Sequence, residues 1–152
     1  MGNALDIPVP TAEELEVELA QVRRAGITGA RRLRLPALTT AARAAGRVEP
    51  HEAVGAYVVE RMLQDAVVNV GGYDGDLATT LFGLSPETRG GRPSALRQMA
   101  AEDAGVTVDH FRHSYEPRLR AALADRVLAE VHEFRPGHHP GGCFRKGNPQ
   151  RF

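Results

Sequence analysis

The spacing of apolar residues predicts helices along most of this chain. Thr11 followed three residues later by Glu14 forms a capping-box pattern, and Gly26 stands where a helix would end. This predicts a first helix over residues 12–25, after an irregular arm over residues 1–10 that contains two prolines. The apolar residues of this helix recur at steps of three and four and share one face: Leu15, Leu19 and Val22.

Two longer helices are predicted in the next part of the chain. Residues 29–45 keep helical spacing but contain Pro36, so we expect a kink or a late start near the proline. Pro50 suits the first turn of a third helix that ends at Gly71 and Gly72. The apolar stripe of this third helix is wide: it comprises Val54, Val58, Met62, Ala66 and Val70, and it is flanked by Tyr57, Leu63 and Val67.

Four further helices are predicted in the C-terminal half. They cover residues 77–83, 95–104, 108–115 and 117–134, and their starts are marked by Asp76, Ser94, Thr107 and Pro117. No stretch alternates apolar and polar residues for long enough to predict a strand. The chain therefore predicts an all-α fold, with a single compact domain of about seven helices over residues 11–134. A flexible tail rich in Gly, Pro and His is expected over residues 135–152.

Residues 95–116 have the pattern of a helix-turn-helix-like unit. Ala101 supplies the small residue where two helices touch, Gly105 suits the turn, and Phe111 is placed to anchor the second helix. The exposed positions of that second helix would be Asp109, His110, Arg112 and His113. These four side chains are therefore candidate contacts with DNA or with a partner protein.

Two features depart from the pattern of DNA-reading helices. Ser114 stands where an apolar residue is usual, and Pro117 should cut the second helix to about eight residues, or ~12 Å. The exposed face is mixed in sign, because Asp109 and Glu116 oppose Arg112. The unit is therefore compatible with ordinary helix packing and with base reading in a DNA groove, and both interpretations stay open.

Charge is unevenly distributed, although the basic and acidic residues total 19 each. Residues 1–22 carry five acidic residues and no basic one, whereas residues 23–48 carry seven arginines and no acidic residue. A zero net charge does not favour a general attraction to nucleic acid or anionic lipid. The arginine-rich stretch either packs beside the acidic first helix or forms a patch for phosphate or an acidic partner, and it includes Arg31, Arg32 and Arg34.

Short motifs resemble a helical, helix-turn-helix-like module of actinobacterial regulatory and effector-associated proteins. They are RRLRLPAL at 31–38, LFGLSPETRG at 81–90, Arg97, Ala100-Ala101, GVTVDHFR at 105–112, Glu116 and Leu119. The resemblance covers about residues 30–130 and implies a sensing, adaptor or regulatory role without catalytic residues. Only the tail follows the module here, so we expect it to act by binding a separately encoded effector or another partner.

Two arginines lie at the turn that follows the LFGL motif. Arg89 could cap the exposed carbonyls at the end of a helix, which would make its role structural. Alternatively, Arg89 and Arg92 form a docking point for an acidic partner or a phosphate group. Both alternatives remain open from the sequence.

We find no catalytic or metal-binding constellation in the sequence. The single cysteine, Cys143, excludes a disulfide framework and a Cys-rich zinc site. His132, His138 and His139 lie in or beside the Gly- and Pro-rich tail, without a paired scaffold that would hold a metal. We therefore expect no metal, no cofactor and no catalytic residue.

No apolar run is long enough to span a bilayer, and the acidic N-terminal stretch does not fit a secretory signal. We expect a cytoplasmic, non-enzymatic regulatory or adaptor module that binds a partner protein or forms a homodimer. The alternative is a helix-turn-helix DNA-binding transcriptional regulator that uses residues 109–113, aided by the arginines of residues 23–47 or by the basic tail. A third hypothesis is an enzyme or metal protein that uses His110, His113, His132 or the tail.

Overall fold

The structure is a computed structural model that describes residues 8–134. Within this range it contains six α-helices and no strand. They are α1 (Ala12–Ala25), α2 (Pro36–Ala44), α3 (Ala56–Val70), α4 (Gly72–Phe82), α5 (Pro93–Ala104) and α6, in which Val108–His110, Phe111–Tyr115 and Glu116–Phe134 follow one another without a break. The predicted all-α single domain is thereby confirmed. The predicted tail, 135–152, and residues 1–7 of the predicted arm lie outside the described residues.

The first helix begins and ends where the sequence predicts. Thr11 Oγ1 accepts a hydrogen bond from the Glu14 N–H at 3.1 Å, and Glu14 Oε1 accepts one from the Thr11 N–H at 2.9 Å. Gly26, at φ 82°, ends the helix. The predicted apolar face is fully buried at Leu15, Leu19 and Val22.

The second helix starts at Pro36 rather than at residue 29. Ala30–Arg32 form one 3-10 turn, and Leu35 leaves the helical region at φ −127° and ψ 67° because the following proline disfavours it. Pro36 then occupies the first turn, where a missing N–H breaks no helical hydrogen bond. Of the two outcomes expected for this proline, the late start is the observed one.

A carboxylate from α1 caps the N-terminus of α2. Glu18 Oε2 accepts the Ala37 N–H at 2.7 Å and Oε1 accepts the Leu38 N–H at 2.8 Å, and Glu18 is only 7% exposed. These N–H groups have no partner within their own helix, so the buried carboxylate satisfies them from outside. Its negative charge also suits the positive end of the helix dipole.

We expect the Glu18→Ala variant to lose about 1–3 kcal/mol of unfolding free energy, because two N–H groups in the core would lose a charged acceptor. Urea unfolding measures this loss. The exposed Glu13 lies on the same helix, and Glu13→Ala should change stability by no more than about 0.5 kcal/mol. Equal stability of the two variants would contradict a capping role for Glu18.

The third helix starts six residues later than Pro50. The proline instead takes the second position of a turn, in which the Glu52 N–H donates to the Glu49 carbonyl at 3.0 Å. The fixed φ of proline suits this position as well as it suits the first turn of a helix. Gly55 is the residue before the helix. The buried face contains Met62 and Ala66 of the predicted stripe and the flanking Leu63 and Val67, together with Val59. The other stripe residues, Val54, Val58 and Val70, are half-buried.

The fourth helix starts earlier than predicted. Gly71, at φ 68°, ends α3 and lets the chain turn at once into α4, which begins at Gly72. Asp76 therefore lies within the helix as an exposed residue and does not cap it, so that prediction is wrong. α4 ends at Gly83 in the left-handed conformation.

The fifth helix and the turn after it follow the sequence closely. Pro93 opens α5 one residue ahead of the predicted cap, Ser94, which makes no capping hydrogen bond. Gly105, at φ 72°, ends α5, and Thr107 Oγ1 accepts the His110 N–H at 3.1 Å at the start of α6, as predicted. Two helices joined by a short turn are thus present, while their helix-turn-helix likeness stays a prediction.

The sixth and seventh predicted helices are one continuous helix, so the domain has six helices over the described range. Pro117 lacks the N–H of a regular turn, and its ring would meet the carbonyl four residues back. The helix passes this point through a π turn over Phe111–Tyr115, in which the Glu116 N–H bonds to the Phe111 carbonyl. Because the π turn contains one extra residue, it moves the backbone carbonyls with which the ring of Pro117 would otherwise clash. The predicted break at Pro117 is therefore wrong.

The last helix runs through the core and contacts α1, α2 and α3. Its C-terminal part is tied to Arg47, whose Nε lies 2.5 Å from Glu130 Oε2 and whose Nη2 lies 2.8 Å from Asp65 Oδ2. Burial by itself would lower the pKa of Arg47, but the hydrogen bonds to Glu130 and Asp65 outweigh it and the pKa is raised. The buried face of α6 comprises Phe111, Leu119, Leu123, Val127 and Val131.

Candidate functional site

The start of α6 exposes the four side chains that the sequence predicts, but their charges largely compensate each other. Asp109, His110, Arg112 and His113 are all exposed. Arg112 Nη2 donates to Asp109 Oδ1 at 2.8 Å, and His113 Nε2 lies 3.5 Å from the same oxygen. The one arginine of this face is thus already paired, which leaves little positive charge for a phosphate backbone.

The π turn explains why Ser114 stands where an apolar residue is usual. Its extra residue turns Tyr115 toward the core, where the ring stacks on Phe111 with the centroids 5.2 Å apart, while Ser114 is exposed. The Arg118 guanidinium lies 4.8 Å from the Tyr115 ring centroid and donates to Asp74 Oδ1 at 2.8 Å. These contacts fasten the start of α6 to the start of α4.

A buried ion triad links α1, α5 and α6. Glu116 accepts hydrogen bonds from Arg97 Nε and, at 3.2 Å, from Arg97 Nη2, while Arg23 Nε lies 3.3 Å from Glu116 Oε1. The Glu116 side chain is only 3% exposed, so the expectation that it lies on the exposed face with Asp109 and Arg112 is wrong. Burial lowers the pKa of Arg23, and the attraction of Glu116 opposes this only in part. The triad lies between the three helices. Arg97 and Glu116, which belong to the motifs of the actinobacterial resemblance, therefore have a structural role here.

Arg89 is held by a carboxylate and not by the carbonyls of a helix end. Its Nε and Nη2 donate to the two oxygens of Glu60 on α3 at 2.7 and 3.0 Å. These hydrogen bonds raise the pKa of Arg89. The side chain remains 52% exposed, so the capping interpretation is wrong while a contact with a partner stays possible.

Four other predicted arginines face solvent without a partner carboxylate. α1 packs against α2 as expected, but Glu18 of α1 bonds there to two backbone N–H groups and not to an arginine. Among residues 8–134 no carboxylate forms an ion pair with any of the following, all of which are exposed: Arg31, Arg32, Arg34 and Arg92.

Three arginines belong to α3 or contact it, namely Arg31, Arg61 and Arg89. Arg31 lines a small cavity of about 90 Å³ with the start of that helix, and Arg61 Nη1 donates to the Tyr57 hydroxyl at 3.4 Å. Tyr57 is 67% exposed, although the sequence predicts it beside the apolar stripe of α3, and neither Tyr57 nor Arg61 is predicted from the sequence as a contact residue. Their spacing of four residues on one helix face was the available signal. We name as the arginine surface the group Arg31, Tyr57, Arg61 and Arg89.

Arg89 and the segment that leads to Arg31 lie near the first turn of α5, whereas the start of α6 follows the other end of that helix. Gly26, which leads into the segment of Arg31, lies against Pro93 at the first turn of α5, and Arg89 precedes the same turn. Residues 109–113 follow the other end of that helix, which is about 16 Å away. The structure thus brings Arg31 and Arg89 to α3 and does not bring them to residues 109–113.

In the described part of the chain no group of three His, Cys, Asp or Glu side chains is arranged to hold a metal ion. His138, His139 and Cys143 of the tail lie outside that part. No helix between residues 8 and 134 is both long and apolar enough to cross a membrane.

Comparison of the chain with models of known protein families, with curated proteins and with solved structures found no match. The resemblance to the actinobacterial module therefore stays a prediction from the sequence motifs.

Proposed function

We propose that this protein is a non-enzymatic adaptor of the cytoplasm that binds an acidic surface of a partner protein through the arginine surface. The observation that carries the proposal is the exposure of Arg31 and Arg61, without a partner carboxylate in the described residues, beside the 67% exposed Tyr57. Arginine and tyrosine are the residues that dominate the binding energy of many protein interfaces. Adjacent carboxylates on a partner would neutralise these charges.

A second candidate function is DNA binding by the start of α6, which the solvent exposure of residues 109–113 favours. Two observations make it the weaker proposal. Arg112 is paired with Asp109, and Arg31 and Arg89 of the arginine surface lie toward the other end of α5. A helix that enters a DNA groove normally has cations beside it that contact the flanking phosphates.

Two double variants with equal changes in net charge separate the two functions. Arg31→Glu with Arg61→Glu reverses the arginine surface, whereas Arg24→Glu with Arg112→Glu reverses two exposed arginines elsewhere. We expect affinity capture from the source cell to recover a partner with the wild type and the second variant but not with the first. Recovery of the same partner with all three proteins would contradict the proposal.

Fluorescence anisotropy with a mixed-sequence duplex at two salt concentrations tests the alternative. We expect no binding even at low salt. Micromolar binding that weakens steeply with salt, and that is lost in the variant carrying Arg112→Glu but kept in the variant carrying Arg31→Glu, would favour the DNA-binding regulator instead.

A further inference from the structure

The small cavity beside Arg31 opens to solvent between the 3-10 turn, the segment that leads to α2 and the start of α3. Its volume is about 90 Å³. Its floor is apolar and buried, and it comprises Ile27, Ala30, Leu35 and Val59. Three further lining residues are exposed and mark its mouth: Arg31, Gly55 and Ala56. A group from another molecule can therefore enter the cavity from this side.

The size of the cavity limits the side chain that it can hold. An apolar cavity of about 150 Å³ holds a benzene ring, so a cavity of about 90 Å³ is too small for an aromatic side chain and suits a branched aliphatic one. Entry of such a side chain is favourable because it removes apolar surface of both molecules from water. We therefore expect an occupant to present Val, Leu or Ile to the floor.

The charge at the mouth favours a carboxylate. Among the described lining residues Arg31 is the only ionisable one, and the first turn of α3 contains no acidic residue. Of the acidic residues nearest to the cavity in the sequence, Glu60 is paired with Arg89. Glu52 has a cation beside it, because Arg43 Nη2 donates to its backbone carbonyl at 2.8 Å. The mouth therefore keeps a net positive charge, which attracts an anionic group.

The aliphatic group and the carboxylate have to reach the same small cavity. Neighbouring side chains of an extended segment point to opposite sides, so an Asp or Glu next to the aliphatic residue would point away from Arg31. The last residue of a chain, in contrast, carries its carboxylate on the same α-carbon as its side chain. It can therefore fill the floor and meet Arg31 at the same time.

We infer that the cavity binds the C-terminal residue of a partner protein that ends in Val, Leu or Ile. The aliphatic side chain lies on the buried floor, and the terminal carboxylate pairs with Arg31 at the mouth. The inference rests on the proposed function, because Arg31 belongs to the arginine surface. It adds to that function the part of the partner that is recognised, namely its chain end.

Random hexapeptides fixed to a surface by their N-termini, with either a free C-terminal carboxylate or a C-terminal amide, test the cavity with the full-length protein. The wild type should enrich free-carboxylate peptides that end in Val, Leu or Ile. It should bind the amides of the same sequences about tenfold more weakly or less, because a charge-assisted hydrogen bond is lost.

Two variants separate the cavity from the charge. Ala30→Leu fills the cavity without changing the charge and should abolish the preference for the last residue, whereas Ala95→Leu makes the same change at an exposed position of α5 and should behave as the wild type. Arg31→Gln should bind free and amidated peptides equally, whereas Arg24→Gln, at another exposed arginine, should keep the difference.

A second filling variant covers the case in which Ala30→Leu does not fold, as judged by circular dichroism. Thr39→Leu fills the same cavity from a half-buried position of α2 and should have the same effect on the selected peptides.

Four results would overturn the inference. They are no enrichment of a terminal residue by the wild type, equal binding of its amides, an unchanged terminal preference when the cavity is filled, and displacement of the peptide by isovalerate with equal affinity, which would assign the cavity to small aliphatic acids. Partner capture that needs Arg31 and Arg61 but is unaffected by Ala30→Leu sinks the inference alone. The expected peptide selection, together with partner capture that survives Arg31→Glu with Arg61→Glu, sinks the proposed function alone.

Discussion

Replacing Phe111 by alanine is expected to lower the free energy of unfolding by about 3–5 kcal/mol, which is the usual loss when a fully buried phenylalanine is truncated in a core. The side chain is 0% exposed and stacks on Tyr115 within the π turn of α6. Its removal leaves a cavity between α5 and α6 and takes away the stacking partner of the residue that the π turn directs inward. The expected loss is a large part of the stability of a domain of this size.

Equilibrium unfolding in urea, followed by circular dichroism, measures this effect. Phe134→Ala is the matched control, because it makes the same change on the same helix at a side chain that is 46% exposed. We expect the control to cost no more than about 1–2 kcal/mol, in proportion to the smaller area buried. A loss for Phe111→Ala no larger than that of the control would mean that α6 does not pack as the structure shows.

Helix ends were predictable where the signal is local. The capping box of Thr11 and Glu14, the left-handed Gly105 and the cap at Thr107 depend on residues within a few positions of each other, and all three are found. The sequence pattern around such positions contains nearly all the information that determines the backbone there.

Prolines were ambiguous for a physical reason. A fixed φ near −65° suits the first turn of a helix and the second position of a β-turn equally, and Pro50 takes the turn. Pro117 lies inside a helix because a π turn makes room for it, and no local sequence pattern predicts that turn. Both outcomes depend on packing against other helices.

The candidate site was predictable in its exposure but not in its pairings. The helical pattern correctly placed Asp109 and Arg112 on the solvent side of the helix. It could not show that Arg89 meets Glu60, 29 residues away, because helical spacing says which residues share a face and not which helices meet. For the same reason it could not show that Arg31 lines a cavity with the start of α3.

Glu116→Gln is the second variant with a large expected effect, a loss of about 3–5 kcal/mol of unfolding free energy. The substitution keeps the shape of the side chain but leaves Arg23 and Arg97 facing each other in the interior without a negative charge. Two unpaired guanidinium groups are costly to bury. Glu133→Gln makes the same change at an exposed position of the same helix, and it should alter stability by no more than about 0.5 kcal/mol.

A triple variant separates the charge effect from the packing effect. When Arg23→Met and Arg97→Met accompany Glu116→Leu, no buried charge is left without a partner, and well-packed apolar replacements of ion triads are often neutral or stabilising. We therefore expect urea unfolding to show the triple variant recovering most of the stability that Glu116→Gln loses. A triple variant as unstable as the single one would mean that the three side chains stabilise the contact of α1, α5 and α6 by their specific geometry. In that case the triad would determine how these helices are arranged, and the unpaired charge would not be the main cost.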